Sequence, residues 1–373
     1  MLSRRSLLRK AALSAGVSLG APLINRGRFS LFAQDSESYS TRAMDLVRQS
    51  TVIDMLGLLT LDYRKLRDWE ANPARFQEAD FRRLRASGIT IFHPAVGYTS
   101  GDIYSQSLRD INGWNRFVAA HPAHLLRVDC AADIARAKLL GKIGILIGQQ
   151  NSVHFREVDD VQRFYDRGQR VSQLTYCGNR IGGGSSDARD TGLTKYGEQI
   201  VERMNAVGMA VDVSHCGDRT TLETIEASTK PVLVTHSNCR ALVPGVARCK
   251  TDEAIQRLAA KGGVMGITMV RAFVGSTPRI TIEDVLNHIE RVARLVGVEH
   301  VGVGSDVDLD GRDLAGRRVR SYDLDGVDYT KKIYELTEGL LRRNFSNREI
   351  ELILGGNFQR VLGETWVIDS NQA

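Results

Sequence analysis

Eight short apolar runs, each followed by a longer polar or amphipathic stretch, constrain this chain more than any other feature. They are "TVIDML" (51–56), "GITIF" (88–92), "IGILIG" (143–148), "RVSQLT" (170–175), "GMAVDVS" (208–214), "PVLVT" (231–235), "GVMGIT" (263–268) and "HVGVGS" (300–305). Most are continuously apolar rather than alternating, which is the pattern of strands covered on both faces in a parallel sheet. The intervening segments read as helices. "GLTKYGEQIVERMNAVG" (192–208) places Ile200, Met204 and Val207 on one stripe and stops at Gly208. "TDEAIQRLAAKGG" (251–263) and "TIEDVLNHIERVARLVG" (281–297) each open on a threonine suited to cap a helix and close on glycine. Eight such alternations predict an α/β fold of the (β/α)8 TIM barrel type. A doubly wound sheet is the alternative, and it is weakened because no Gly-rich phosphate loop follows the first run. No low-complexity linker or repeat divides residues 40–365, so residues 34–373 are expected to form a single barrel domain.

The first 33 residues differ in kind. They open with Arg4 and Arg5, and a mildly apolar Ala/Gly/Leu run follows from Ala11 to Ile24. That run is too short and too weak for a spanning helix, and the order of features matches a twin-arginine export signal over residues 1–33. The expected location is therefore the periplasm or beyond, with no stable membrane span once the signal is removed. The charge supports the same division. The formal net charge is +6, and residues 1–33 hold six basic residues and no acid, so the rest of the chain is neutral. A neutral domain gives no support for nucleic-acid binding. Five cysteines without CxxC spacing do not make a disulfide framework, and most of them read as small buried residues, with Cys177, Cys216 and Cys239 near the candidate site.

In a barrel of this type the chemistry stands at the C-terminal ends of the strands. There the sequence places His215 in "VDVSHC", His236 in "VTHSNC" and Asp306 in "GVGSDVDLDG". Two imidazoles and a carboxylate at three strand ends suit zinc or another divalent metal. "DVDLDG" lacks the spacing and terminal glutamate of an EF-hand calcium loop.

The segments "GLTKYGEQIVERMNAVGMAVDVSHC", "PVLVTHSNCRAL", "HVGVGSDVDLDG" and "GGNFQRVLG" (355–363) resemble, in order, those of the membrane (renal) dipeptidase family of zinc metallopeptidases. "VIDMLGLL", "IGILIGQQNS" and "RVSQLTYCGN" match weaker equivalents, and together they cover residues 45–365. The resemblance implies a (β/α)8 barrel, two zinc ions and hydrolysis of dipeptides, including those with a C-terminal D-residue. It implies that His215 and His236 bind one zinc, that Asp306 binds the other and that Arg248 clamps the substrate carboxylate. It also implies a homodimer, although no interface is legible in the sequence.

Four positions depart from the family pattern. Leu56 and Leu58 stand where the family has a zinc-binding His-x-Asp pair, and leucine cannot coordinate. Gln150, or Gln149 if the register slips by one, stands where the family has a zinc-bridging glutamate. Tyr176 replaces a substrate-binding histidine and retains a hydroxyl able to donate to an oxyanion. These residues do not support the two-zinc mechanism, and the site is read as mononuclear or rebuilt. What remains is one metal on His215, His236 and Asp306, with Asp306 and Tyr176 as catalytic groups and Arg248, Tyr176 and Gln150 facing a small peptide. His93 and His154 are the candidates to replace lost ligands, and Asp54 lies one barrel layer deeper in a structural position. The leading expectation is a metal-dependent hydrolase of a dipeptide or small amide, with one metal per chain. The alternative is a relative without metal, either a binding or accessory protein or an acid–base catalyst in maturation of an exported peptide product. A purely structural barrel is disfavoured by the retained polar residues.

Overall fold

The computed structural model describes residues 39–311 and 322–366. The chain divides into Met1–Ser40 and Thr41–Ala373, and the barrel lies in the second unit. The expected export signal at residues 1–33 lies outside the described residues.

Ten parallel strands form one sheet. β1 (Ile53–Asp54) pairs with β2 (Ile91–Phe92) on one side and with β10 (Val301–Val303) on the other. β2 pairs with β4 (Ile143–Ile145), which continues through Leu146 and Ile147 into β5 (Gly148–Gln149). β5 pairs with β6 (Val171–Gln173), and the ladder proceeds through β7 (Ala210–Asp212), β8 (Leu233–Ser237) and β9 (Val264–Ile267) back to β10. β4 and β5 are thus two segments of one run, and the pairings close a ring of eight. Closure leaves the eight ring positions without a free edge, and the ring strands are buried on both faces. The eight predicted runs each supply one ring position. β3 (Leu125–Arg127), which pairs with β4 outside the ring, was not legible in the sequence.

The helices form where caps and periodicity agree. Thr194, Thr251 and Thr281 each accept a backbone N–H with the side chain, starting Lys195–Val207, Asp252–Ala260 and Ile282–Val296. Gly208 ends the first of these at φ 77°, a left-handed conformation that costs glycine nothing. One buried cluster joins the strand-start residues Ile53, Ile91, Val171, Ala210, Leu233 and Val264 to Phe358, Val361 and Leu362 of the last helix, Asn357–Thr365. The strand starts are thereby sealed with hydrocarbon, and polar side chains gather at the strand ends.

Asp54 takes the structural position expected of it. It is fully buried, accepts the Ser305 N–H at 2.7 Å and the Ser305 hydroxyl, and lies 3.7 Å from the equally buried Lys332 Nζ. All five cysteines are free, and Cys216, Cys239 and Cys249 are buried.

Candidate active site

The site is organised around a break in β8. Between Val234 and Ser237 the register against β9 shifts, so Thr235 and His236 together face a single residue of β9, Gly266. Adjacent residues on a regular strand point to opposite faces. Here the Thr235 hydroxyl and His236 Nδ1 are 2.8 Å apart, as a bulge that turns both side chains the same way allows. Two glycines make the room. A Cβ on Gly266 would stand 2.1 Å from the Thr235 carbonyl oxygen, and one on Gly304 would stand 1.8 Å from it.

Asp212, the last residue of β7, ties this bulge to the next loop. Its Oδ1 accepts the Ser214 N–H, the Ser214 hydroxyl and the Thr235 N–H, and its Oδ2 accepts the Thr235 hydroxyl at 2.7 Å. His215 follows directly, and its Nε2 stands 3.0 Å from His236 Nε2. Burial, with the charges of Arg248 and Lys250 nearby, drives the His215 pKa well below its ordinary value, so the ring is neutral near pH 7. The ring of Tyr176 stacks on His215 with centroids 4.2 Å apart, and Gly97 is close enough that a Cβ there would meet the Tyr176 ring at 2.6 Å.

Arg248 is buried. It donates to the carbonyl oxygens of Ser214 at 2.6 Å and His236 at 2.8 Å, bracing the two histidine loops against each other. Burial lowers its pKa, and the charge of Asp306 opposes that shift more than any other neighbour. Asp306 itself sits at φ 56° and donates its N–H to the Leu56 carbonyl at 2.9 Å.

Among the described residues, no group of three or more His, Cys, Asp or Glu side chains stands close enough to hold a metal ion. Of the expected trio of His215, His236 and Asp306, the two histidines face each other through their Nε2 atoms. Asp306 belongs to the β10 end that is bonded to Leu56, and its charge bears on Arg248. The two histidines expected as possible replacement ligands have protein partners of their own. His154 is fully buried against Phe155 and Phe164, and both its ring nitrogens are engaged, with Asn151 O and Gln169 Oε1. His93 is buried in the barrel wall, with Nδ1 bonded to Leu146 O at 2.8 Å and its ring packed on Gly148.

The opposite rim is apolar. Leu56, Leu58 and Ala95, with Leu61 beside them, form a cluster separate from the main core. Gln150 Nε2 donates to the Ala95 carbonyl at 2.8 Å, which places this side chain beside the rim. Gln149 points away from it, toward Asp110 on the helix Ile103–Ala120, at 2.8 Å. Of the two glutamines between which the sequence left the register open, Gln150 is thus the one at the rim. Asp308 and Asp310 serve the loop, the first accepting the Leu61 and Asp310 N–H groups and the second pairing with Arg83.

The membrane dipeptidase family (peptidase family M19) matches residues 40–372. The chain belongs to this family. It is 30% identical to an uncharacterised dipeptidase of Schizosaccharomyces pombe over 282 residues, which are 72% of this chain and 65% of that protein. It is 30% identical to dipeptidase 3 of Rattus norvegicus over 269 residues, 70% of this chain and 52% of that one. The chain thus spans about half to two thirds of the length of these curated relatives. The crystal structure of an amidohydrolase from Pseudomonas aeruginosa superposes with a TM-score of 0.76 at 30% identity, covering 87% of this chain and 99% of that one. A metallopeptidase from Rhodobacter sphaeroides, solved with a phosphinate mimic of L-Ala-D-Ala, shares the fold with a TM-score of 0.72 at 17% identity, covering 85% and 99%.

The family's zinc can be tested against these donors. Two nitrogens bound to one tetrahedral zinc lie about 3.3 Å apart, given bonds of about 2.0–2.1 Å. The 3.0 Å spacing of the His215 and His236 Nε2 atoms is close to that value, so the pair fits a single ion. The Leu56–Leu58–Ala95 rim supplies no donor for a second one.

Proposed function

We propose that this chain hydrolyses a dipeptide or similarly small amide at a mononuclear centre held by His215 and His236. The observation that carries the reading is the converging pair of Nε2 atoms, 3.0 Å apart at adjacent strand ends. A bound divalent ion, zinc by analogy with the family, would polarise the amide carbonyl and acidify a water molecule. The rest of the work falls to the chain's own groups. Arg248 holds both histidine loops through their carbonyl oxygens. Tyr176, fixed between Gly97 and His215, presents a hydroxyl that can donate to the oxyanion of the tetrahedral intermediate. Asp306 supplies the carboxylate at the mouth that orients or deprotonates the attacking water. The apolar rim receives a side chain of the substrate. Two protein ligands are one fewer than the usual catalytic zinc set, so the ion is held weakly and a chelator removes it readily.

The test combines elemental analysis with amine release from a panel of dipeptides. Zinc-dependent turnover that disappears in His215→Ala and in His236→Ala supports the proposal, and turnover indifferent to both changes refutes it. The Leu56–Leu58–Ala95 cluster favours a second reading, an apolar mouth that binds a peptide without cleaving it. Peptide binding that survives both histidine substitutions, with no turnover in the parent, selects that reading. The pattern of residues 1–33 supports export by the twin-arginine route as part of the proposal, and a reporter fused to that segment tests it.

A further inference from the structure

We infer that Asp212 and Thr235 are positioning residues that lock His236 in its Nδ1–H tautomer, so that its Nε2 lone pair always faces His215. The lock deepens the mononuclear reading and rests on the same histidine pair, yet it concerns the metal-free chain.

The hydrogens decide the tautomer. The Thr235 hydroxyl has one, and it lies 2.7 Å from Asp212 Oδ2, a carboxylate oxygen that accepts. Among the described residues, the Ser214 hydroxyl is the other competitor near Thr235 Oγ1, at 3.1 Å, and its own hydrogen goes to Asp212 Oδ1 at 2.6 Å. Thr235 Oγ1 therefore meets His236 Nδ1 with a lone pair, and at 2.8 Å the imidazole must be the donor. A neutral imidazole with its proton on Nδ1 carries a lone pair on Nε2. The bulge is what makes this relay possible, because on a regular strand Thr235 and His236 would point apart.

The two histidines are consequently unequal. His236 is fixed by the relay. Among the described residues, His215 Nδ1 makes no hydrogen bond, so that ring is free to change tautomer. Without an ion, His215 Nε2–H donates to the His236 lone pair across the 3.0 Å gap. For both Nε2 atoms to bind one ion, only His215 has to move its proton to Nδ1. The relay therefore leaves half of the donor pair ready before any ion arrives, the role that outer hydrogen bonds play for metal-binding histidines generally.

The test is long-range nitrogen–proton NMR of the histidine rings in metal-free protein, in the parent, Thr235→Val and Thr235→Ser, followed by zinc titration of each. The expected spectra show His236 protonated at Nδ1 in the parent and in Thr235→Ser, and redistributed toward Nε2–H in Thr235→Val. Zinc affinity is expected to fall about 10–100-fold in Thr235→Val and to return in Thr235→Ser. A parent His236 protonated at Nε2, or an unchanged tautomer in Thr235→Val, overturns the inference. If the tautomer shifts as expected but neither protein binds zinc, the lock stands and the mononuclear function falls. Circular dichroism and the retained Asp212–Ser214 bonds distinguish loss of the relay from loss of the fold.

Discussion

Replacing Asp110 by asparagine should make the protein more stable at high pH and leave it nearly unchanged at low pH. Asp110 sits on the helix Ile103–Ala120 behind β5, where burial pushes its pKa from 3.8 to about 7 and the Gln149 amide opposes the rise. Glu70, on the neighbouring helix Tyr63–Ala71, is pushed up to about 8 by burial and by the Asp110 charge, with Arg116 and Arg67 opposing. Tyr98 also faces this pair; burial and both carboxylates raise its pKa, and Arg109 and Arg67 lower it. A carboxyl whose folded pKa is raised keeps its proton while the unfolded chain has already lost it. Stability therefore falls as pH rises from about 3.8 to about 7 and levels off above. The shift of Asp110, at about 1.4 kcal/mol per pH unit, amounts to roughly 4 kcal/mol at pH 8. Asparagine keeps an oxygen to accept from Gln149 and removes the charge, so it recovers most of that amount at pH 8 and almost none at pH 4. Removing the Asp110 charge also eases ionisation of Glu70, so the pair is read through its joint titration. Urea denaturation of parent and variant at pH 4, 6 and 8 measures the difference directly. A difference that is the same at pH 4 and pH 8, or that grows toward low pH, refutes the reasoning.

The geometry makes four other substitutions informative. Gly266→Ala should abolish metal binding and lower stability by about 1–3 kcal/mol, because its Cβ would displace the Thr235 carbonyl and flatten the bulge; unchanged zinc affinity in a titration would contradict it. Lys332→Ala should cost about 3–5 kcal/mol in denaturant, since it strips the buried Asp54 of its only nearby cation among the described ion pairs. Leu56→Ala should cost about 2–5 kcal/mol by leaving a cavity under the rim, read as a lowered melting temperature. Tyr176→Phe keeps the stack on His215 and loses the hydroxyl, so kcat should drop while zinc binding is unaffected.

How much of the molecule was legible in the sequence depended on how local each signal was. The eight ring strands and the threonine-capped helices were readable because continuous apolar runs, Thr at the start and Gly at the end are signals within one segment. Leu125–Arg127 escaped because three residues outside the ring carry no pattern of their own. His215 and His236 were found by their places at strand ends. Their facing geometry was not, because it depends on a bulge whose room comes from Gly266 and Gly304 on two other strands. The glycines in "GVMGIT" and "HVGVGS" were the available signal, and they say nothing until the strands are paired. Asp306 was expected among the ligands from its strand-end position and from the family resemblance; its backbone bond to Leu56 and its charge beside Arg248 become visible only in three dimensions. Arg248 was expected to clamp substrate; that it also braces the histidine loops through their carbonyl oxygens is visible only in the fold. Asp110 and Glu70 carry no local mark of their burial, since a sequence does not show which helix faces meet.

Metal content per chain decides the mononuclear site, measured by elemental analysis of protein purified from metal-replete cells without chelator or nickel resin. The histidine pair predicts one ion per chain, absent from His215→Ala and His236→Ala protein. Two ions per chain would mean that unrecognised ligands rebuild the family's full centre. No ion at all would mean that the histidine pair serves a role without metal, and either result would contradict the mononuclear site.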